Sequence, residues 1–276
     1  MSEPLCITKH QQAAKRRFGA LIANVAAADA AYNVLPESCG GKIISTDIVR
    51  LLDDNYRIVP AGKLRDLAPS WDGAWRYAQK RLEREIANRG NRRTLRFMAG
   101  GWASGKTYAL RDVEPADLAW DGTLADERWA AAMVIQALEH GWRVQIAYVQ
   151  RPVVLALWGS LDRAMEEGRT VPLLLLPSVH RAAQQSILKL HSTFGNDPRV
   201  AFILIFNAGT RAEPREGRKL SISDIAPDGV IHYTQGDVKS YQQTARKVWQ
   251  AAGQSGHYPA EILAAAGAGM GKENGK

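Results

Sequence analysis

The sequence predicts an α/β fold with a mainly parallel sheet flanked by helices. Three observations predict it. From residue 94 onward, short apolar runs alternate with segments of helical periodicity, the pattern of parallel strands joined by crossover helices. The run Val200 to Asn207, VAFILIFN, is almost wholly apolar, as expected of a central strand covered on both faces. Upstream, Thr94 to Leu110, TLRFMAGGWASGKTYAL, joins an apolar run to a helix-compatible tail through a glycine-rich turn.

That turn carries Gly100 and Gly105 in the spacing G-x-x-x-x-G-K-T, the phosphate-binding P-loop pattern. Glycines let the backbone curl so that successive N–H groups converge on a phosphate. Gly100, Gly101, Trp102, Ala103, Ser104, Gly105, Lys106 and Thr107 are the candidate nucleotide-binding residues. Lys106 reaches the β- and γ-phosphates as a point charge, and the Thr107 hydroxyl ligates Mg²⁺. A strand before the turn and a helix after it supply the context that the motif requires. Trp102 is unusual inside such a loop; it either stacks on a base or a neighbouring wall, or simply packs. The expected architecture is therefore a three-layer fold of the P-loop NTPase kind.

The chain has 276 residues, of which 46% are hydrophobic, enough for one large domain or two smaller ones. Its net charge of +8 invites an anionic partner such as a nucleotide or nucleic acid, although the arginines are spread along the chain. Cys6 and Cys39 lack metal-like spacing and point to a reducing compartment. No signal peptide or membrane-length apolar run is evident, so a cytoplasmic protein is expected.

In order, Ile7 to Tyr32 reads as one helix and Pro36 to Gly41 as a turn. Lys42 to Ser45 is a short strand, with Thr46 or Asp47 capping a helix that starts at Ile48. Tyr56 to Ser70 reads as loop because of Pro60, Gly62 and Pro69. Trp71 to Asn88 is a helix closed by the basic run 89–93, a solvated helix end or a nucleic-acid contact. Residues 1–93 are assigned to a helical or substrate lobe and 94–276 to the core.

After the P-loop, a short strand ends at Asp121-Gly122-Thr123. Ala125 to His140 is a helix, Trp142 to Gln150 a strand, and Pro152 to Gly168 a helix. The acidic Glu166 and Glu167 in its last turn oppose the helix dipole, so other partners are expected. Ser178 to Phe194 is a helix, Thr210 to Lys219 a charged loop, and Leu220 to Tyr233 a possible hairpin. Val238 to Ala251 and Ala260 to Ala266 are helices, followed by a frayed tail from Gly267. His180 and His191 lie on one helix with no carboxylate or cysteine cluster around them, so a structural or surface role is expected.

With these motifs placed, the chain resembles the zeta-toxin family of P-loop kinases. The likeness is carried by residues 121 to about 190: the DGT turn, a helix, glycine, an apolar strand, Arg-Pro, a helix bearing Arg163, and Gly168-Arg169-Thr170-Val171-Pro172. The resemblance implies phosphorylation of a hydroxyl of a nucleotide-sugar or other small nucleotide metabolite, with ATP or GTP and Mg²⁺, in the bacterial cytoplasm. It also implies a neutralising antitoxin protein. Arg169, with Arg163 second, matches the family's lid arginine. Asp121 and Thr123 are candidates for substrate binding, and Asp121 for the metal through its bound water. Rival readings are a polynucleotide or nucleoside kinase, and a nucleotide-binding module without transfer activity.

Two departures stand out. The family's catalytic aspartate and following helix belong between the P-loop and the DGT turn, where this chain has no room. The segment 41–56, GKIISTDIVRLLDDNY, resembles what is missing, which places the lobe ahead of the P-loop and makes Asp47 the favoured candidate for proton acceptor, with Asp121 the other. Ala125 stands where family members often carry an arginine, which weakens the case for a UDP-sugar substrate.

Overall fold

A computed structural model describes residues 9–58, 60–89, 93–109, 113–210 and 217–270. The chain divides into two units, Met1–Arg84 and Glu85–Lys276.

In the first unit, α1 (Lys9–Ala23) and α2 (Val25–Asn33) replace the single helix expected over 7–32. The break is at Asn24, whose side chain caps α2 by accepting a hydrogen bond from the Ala27 amide at 3.1 Å. The short strand β1 (Ile43–Ser45) and helix α3 (Thr46–Arg50) follow as expected. Ser45, rather than Thr46 or Asp47, is the cap, its hydroxyl accepting from the Asp47 amide. Tyr32 pins β1, donating to the Ile43 carbonyl at 2.8 Å and accepting from the Ser45 amide at 3.1 Å.

The loop expected over 56–70 is corrected. Helix α4 (Asp54–Ile58) is followed by α5 (Pro60–Arg89), a helix of 30 residues. Pro60 opens α5, where its missing N–H is an orphan donor in any case. The predicted helix 71–88 is the second half of α5. The basic run after it falls at 90–92 outside the described residues.

One carboxylate organises this unit. Asp29 on α2 accepts from Arg81 at 2.9 Å and from Arg84 at 2.9 Å, both on α5, and from the Tyr77 hydroxyl. Arg81 is fully buried and lies over the Tyr32 ring at 4.5 Å. A guanidinium in that position is tolerated only while it stays paired and stacked.

The second unit is built on parallel strands. Strands β2 (Thr94–Ala99), β3 (Leu118–Asp121), β4 (Arg143–Gln150), β5 (Val200–Phe206) and β6 (Arg218–Lys219) stand in the order β3-β2-β4-β5-β6. All pairings but β5 with β6 are parallel. This is the predicted α/β architecture. Helices α6 (Lys106–Ala109), α7 (Glu127–Glu139), α8 (Val153–Glu167), α9 (Leu176–Phe194), α10 (Ile222–Ile225), α11 (Gln235–Ser255) and α12 (Ala260–Ala266) complete the unit.

The apolar strand 200–206 is not central. β2 and β4 have full-length neighbours on both sides, whereas β5 meets the two-residue β6 on its outer edge and leaves Ala201 exposed. The possible hairpin over 220–233 is instead the single-turn helix α10. A capping box between Ser221 and Asp224 closes it. Of the charged loop 210–219, residues 211–216 lie outside the described residues. Among the described residues no helix is long and apolar enough to cross a membrane.

Replacing Asp29 by alanine is expected to leave Arg81 buried beside Tyr32 without its carboxylate. The cost is about 3 kcal/mol. Urea unfolding monitored by circular dichroism should show a correspondingly lower midpoint.

Candidate functional site

The glycine-rich turn leaves the carboxyl end of β2, where ligands gather in open α/β sheets. Gly100 and Gly105 take φ of +137° and +75°, and Ala103 takes +55°. Gly100 also has no space for a side chain, because a Cβ there would meet the Val149 carbonyl oxygen at 2.5 Å. The two glycines that define the motif are therefore required by backbone conformation.

Three side chains or turns outside the loop hold it. The Gly100 amide donates to the Thr123 carbonyl at 3.2 Å, which ties the loop to the DGT turn. The Asn207 side-chain amide donates to the Ser104 carbonyl at 3.0 Å, while its own Oδ1 accepts from the Gly209 amide. From α9, the His180 Nε2 lies 2.8 Å from the Trp102 carbonyl. A carbonyl can only accept, so Nε2 carries the proton and donates. The imidazole fills the space beside Gly101, where a Cβ would come within 2.0 Å of it.

Lys106 and Thr107 open α6, and the Ala109 amide returns to the Gly105 carbonyl at 2.9 Å. Thr107 is exposed and Ser104 buried, with the Ser104 hydroxyl lacking a partner among the described residues. Trp102 is partly buried, and its carbonyl serves as the acceptor for His180.

Asp121 ends β3, opposite Met98 on the P-loop strand. The Thr123 hydroxyl accepts from the Ala125 amide at 3.3 Å, so it helps to shape its own turn. Arg163 and Arg169 converge on Glu167, at 2.9 Å and 2.5 Å. These two guanidinium groups are the expected partners of an acid in the last turn of α8. Burial pushes the Glu167 carboxyl up, but the two arginines outweigh it and hold its pKa below the usual value. In the first unit, Asp47 is 42% exposed and pairs with the buried Arg50 at 2.9 Å.

Among the described residues, no group of three or more His, Cys, Asp or Glu side chains could hold a metal ion. The candidate donors for Mg²⁺ are one hydroxyl, Thr107, and one carboxylate, Asp121. Hard oxygen donors of this kind fit Mg²⁺, which keeps most of its remaining shell as water and phosphate oxygen.

Residues 114–216 match the zeta toxin family model. The zeta-toxin match begins after the P-loop and includes the DGT turn, α7, β4, α8, α9 and β5. It bears out the resemblance read from the DGT turn and the Arg-Thr-Val-Pro segment. Three solved structures are also similar to the chain, with 93% of their chain covered in each case. They are the AvrRxo1-ORF1:ORF2 complex in native form (14% identity, 71% of this chain, TM-score 0.45), with sulphate ions (14%, 71%, 0.44) and with ATP (15%, 75%, 0.44). These likenesses are too distant to carry an argument. A search of curated proteins finds no match.

Three residues that hold or flank the loop were not singled out in the sequence as site residues: His180, Asn207 and Arg151. Asn207 and Arg151 directly follow β5 and β4, so the strand-end rule points to them. His180 has no local signal, because it meets the P-loop from a helix 78 positions away in the chain.

Desolvation pushes the His180 pKa down to about 4, and the charges of Lys106 and Arg151 push the same way against the Trp102 hydrogen bond. Its folded pKa lies below the unfolded value of about 6.5. Between those two values the unfolded chain binds the proton and the folded chain does not. Stability from this group is thus complete above about pH 6.5 and is lost as pH falls towards 4, by about 3 kcal/mol in all. The His180→Gln variant should show a shallower loss of stability than the parent over that window, measured as thermal midpoint against pH.

Proposed function

We propose that this protein is a phosphotransferase that moves the terminal phosphoryl group of ATP or GTP to a hydroxyl of a nucleotide-sugar or other small nucleotide metabolite. The observation that carries this reading is the hydrogen bond from Gly100 to Thr123. It joins a P-loop backbone to the DGT turn of the zeta-toxin segment.

Phosphoryl transfer needs in-line positioning and charge neutralisation more than covalent chemistry from the protein. The loop amides and Lys106 take the phosphates. Thr107 and Asp121 would hold a Mg²⁺ ion, which would supply charge neutralisation for the phosphates when bound. Arg163 and Arg169 serve the transferring group, with Glu167 holding both until the triphosphate competes for them. Asp121 and Thr123 bind acceptor hydroxyls. Asp47, whose carboxylate is 42% exposed, takes the proton from the attacking hydroxyl. A neutralising protein partner belongs to the same reading.

Lys106→Ala should remove transfer and weaken ATP binding. Asp47→Asn should leave ATP affinity within about twofold and lower kcat by 10²-fold or more, on the order of a lost general base. Both are read by following label from γ-³²P-ATP into a set of UDP-sugars, nucleosides and oligonucleotides. Label in oligonucleotides alone would replace the small-molecule reading with polynucleotide phosphorylation. Asp47→Asn at the parental rate would remove Asp47 from the mechanism.

A further inference from the structure

Arg151 directly follows β4, between the P-loop and α8. A Cβ placed on Gly105 would lie 3.1 Å from its Nη1, and one on Gly159 would lie 3.7 Å from its Nη2. The guanidinium therefore sits against the last glycine before Lys106. Its backbone is fixed by the Tyr233 hydroxyl, which donates to the Arg151 carbonyl at 3.1 Å. Tyr233 is in turn held by Gln184 of α9 through its amide, at 2.8 Å.

One edge of the guanidinium is unsatisfied. Its Nε is buried with no hydrogen-bond partner, and among the described residues the side chain makes no ion pair. The carboxylate that acts on it through space is Asp162, which instead accepts from the Tyr258 hydroxyl at 2.8 Å. Arg81 in the first unit, which serves the fold, is more deeply buried and is held by a carboxylate, whereas Arg151 is part-buried and among the described residues is held by none. Arg163 and Arg169, the arginines that the sequence singles out, already share Glu167. A planar fork of donors next to a phosphate-binding loop, with no acceptor of its own, is complementary to an oxyanion.

We propose that Arg151 is a phosphate-holding residue, a second fixed cation beside Lys106 that binds the triphosphate tail of the nucleotide in the P-loop. This rests on the nucleotide-binding reading above and adds a residue to it. Arg151 supplies the charge neutralisation that does not depend on movement of the α8 arginines. Binding also gives its partnerless donors their first acceptors, so the empty protein carries a desolvation cost that ATP relieves.

The test compares Arg151→Gln and Arg151→Lys with the parent in the full chain, by calorimetric titration with ATP and Mg²⁺ and by thermal melting without nucleotide. The expected result for Arg151→Gln is an ATP affinity about ten- to a hundredfold weaker, the range for a lost charge-assisted hydrogen bond. Its melting temperature without nucleotide should be equal to the parent's or higher, because an unpaired buried charge has been removed. Arg151→Lys, which keeps the charge but loses the fork, should recover part of the affinity. An ATP affinity within about twofold of the parent in Arg151→Gln overturns the proposal. So does a marked fall in the melting temperature of that variant without nucleotide, since the side chain would then belong to the fold. Lys106→Ala, run in parallel, separates the two readings. If it loses ATP while Arg151→Gln keeps it, Arg151 alone is misassigned; if Lys106→Ala binds ATP as the parent does, the P-loop reading falls and takes this one with it.

Discussion

The second unit depends on the absence of side chains along one short stretch of backbone. Gly100, Gly101 and Gly105 each lie so close to a neighbour that a methyl group would collide, with the Val149 carbonyl, the His180 ring and the Asn207 amide respectively. The turn is a peptide ribbon clamped between β4, α9 and the residue after β5. Clamping of this kind holds backbone amides in place before any anion arrives, and preorganised dipoles do not have to reorganise when charge appears.

The clamp also explains a chemical choice at its back. A histidine that donates to a carbonyl in a dry pocket beside two cations is held neutral. It then acts as a fixed donor that adds no further positive charge. The cationic work is left to Lys106 and to arginines. Arg163 and Arg169 are parked on a carboxylate one helical turn from the first of them, while among the described residues Arg151 makes no ion pair. Arginines held by a carboxylate, and arginines such as Arg151 and Arg181 whose buried Nε has no hydrogen-bond partner among the described residues, therefore stand in one unit.

The first unit follows the same physical logic with the opposite outcome. Arg81 is buried there, and Asp29 and Asn33 take its Nη atoms while the Tyr32 ring lies under its plane. Its charge is spent on joining α2 to α5. Arg151 differs in two respects: it is only part-buried, and among the described residues no carboxylate pairs with it.

The sequence by itself determined the α/β class, the position of the P-loop after a strand, and the likeness of the segment around the DGT turn to the zeta toxin family. These are local signals, since glycine spacing and apolar periodicity are written within a few residues of one another. It misread 56–70 because prolines and a glycine mark a loop by propensity, and tertiary context overrode that. It placed the strand at 200–206 centrally because an apolar run shows hydrophobicity but not which strands pair beside it. Only the tertiary structure decided that the loop and the DGT turn share a hydrogen bond, and that His180 and Asn207 lock the loop. It also decided that the glutamate next to Gly168 occupies the two expected arginines while Arg151 has no ion pair among the described residues. Each of these is a contact between residues distant in sequence, and whether a buried polar group is satisfied depends on what the fold brings within three ångströms of it.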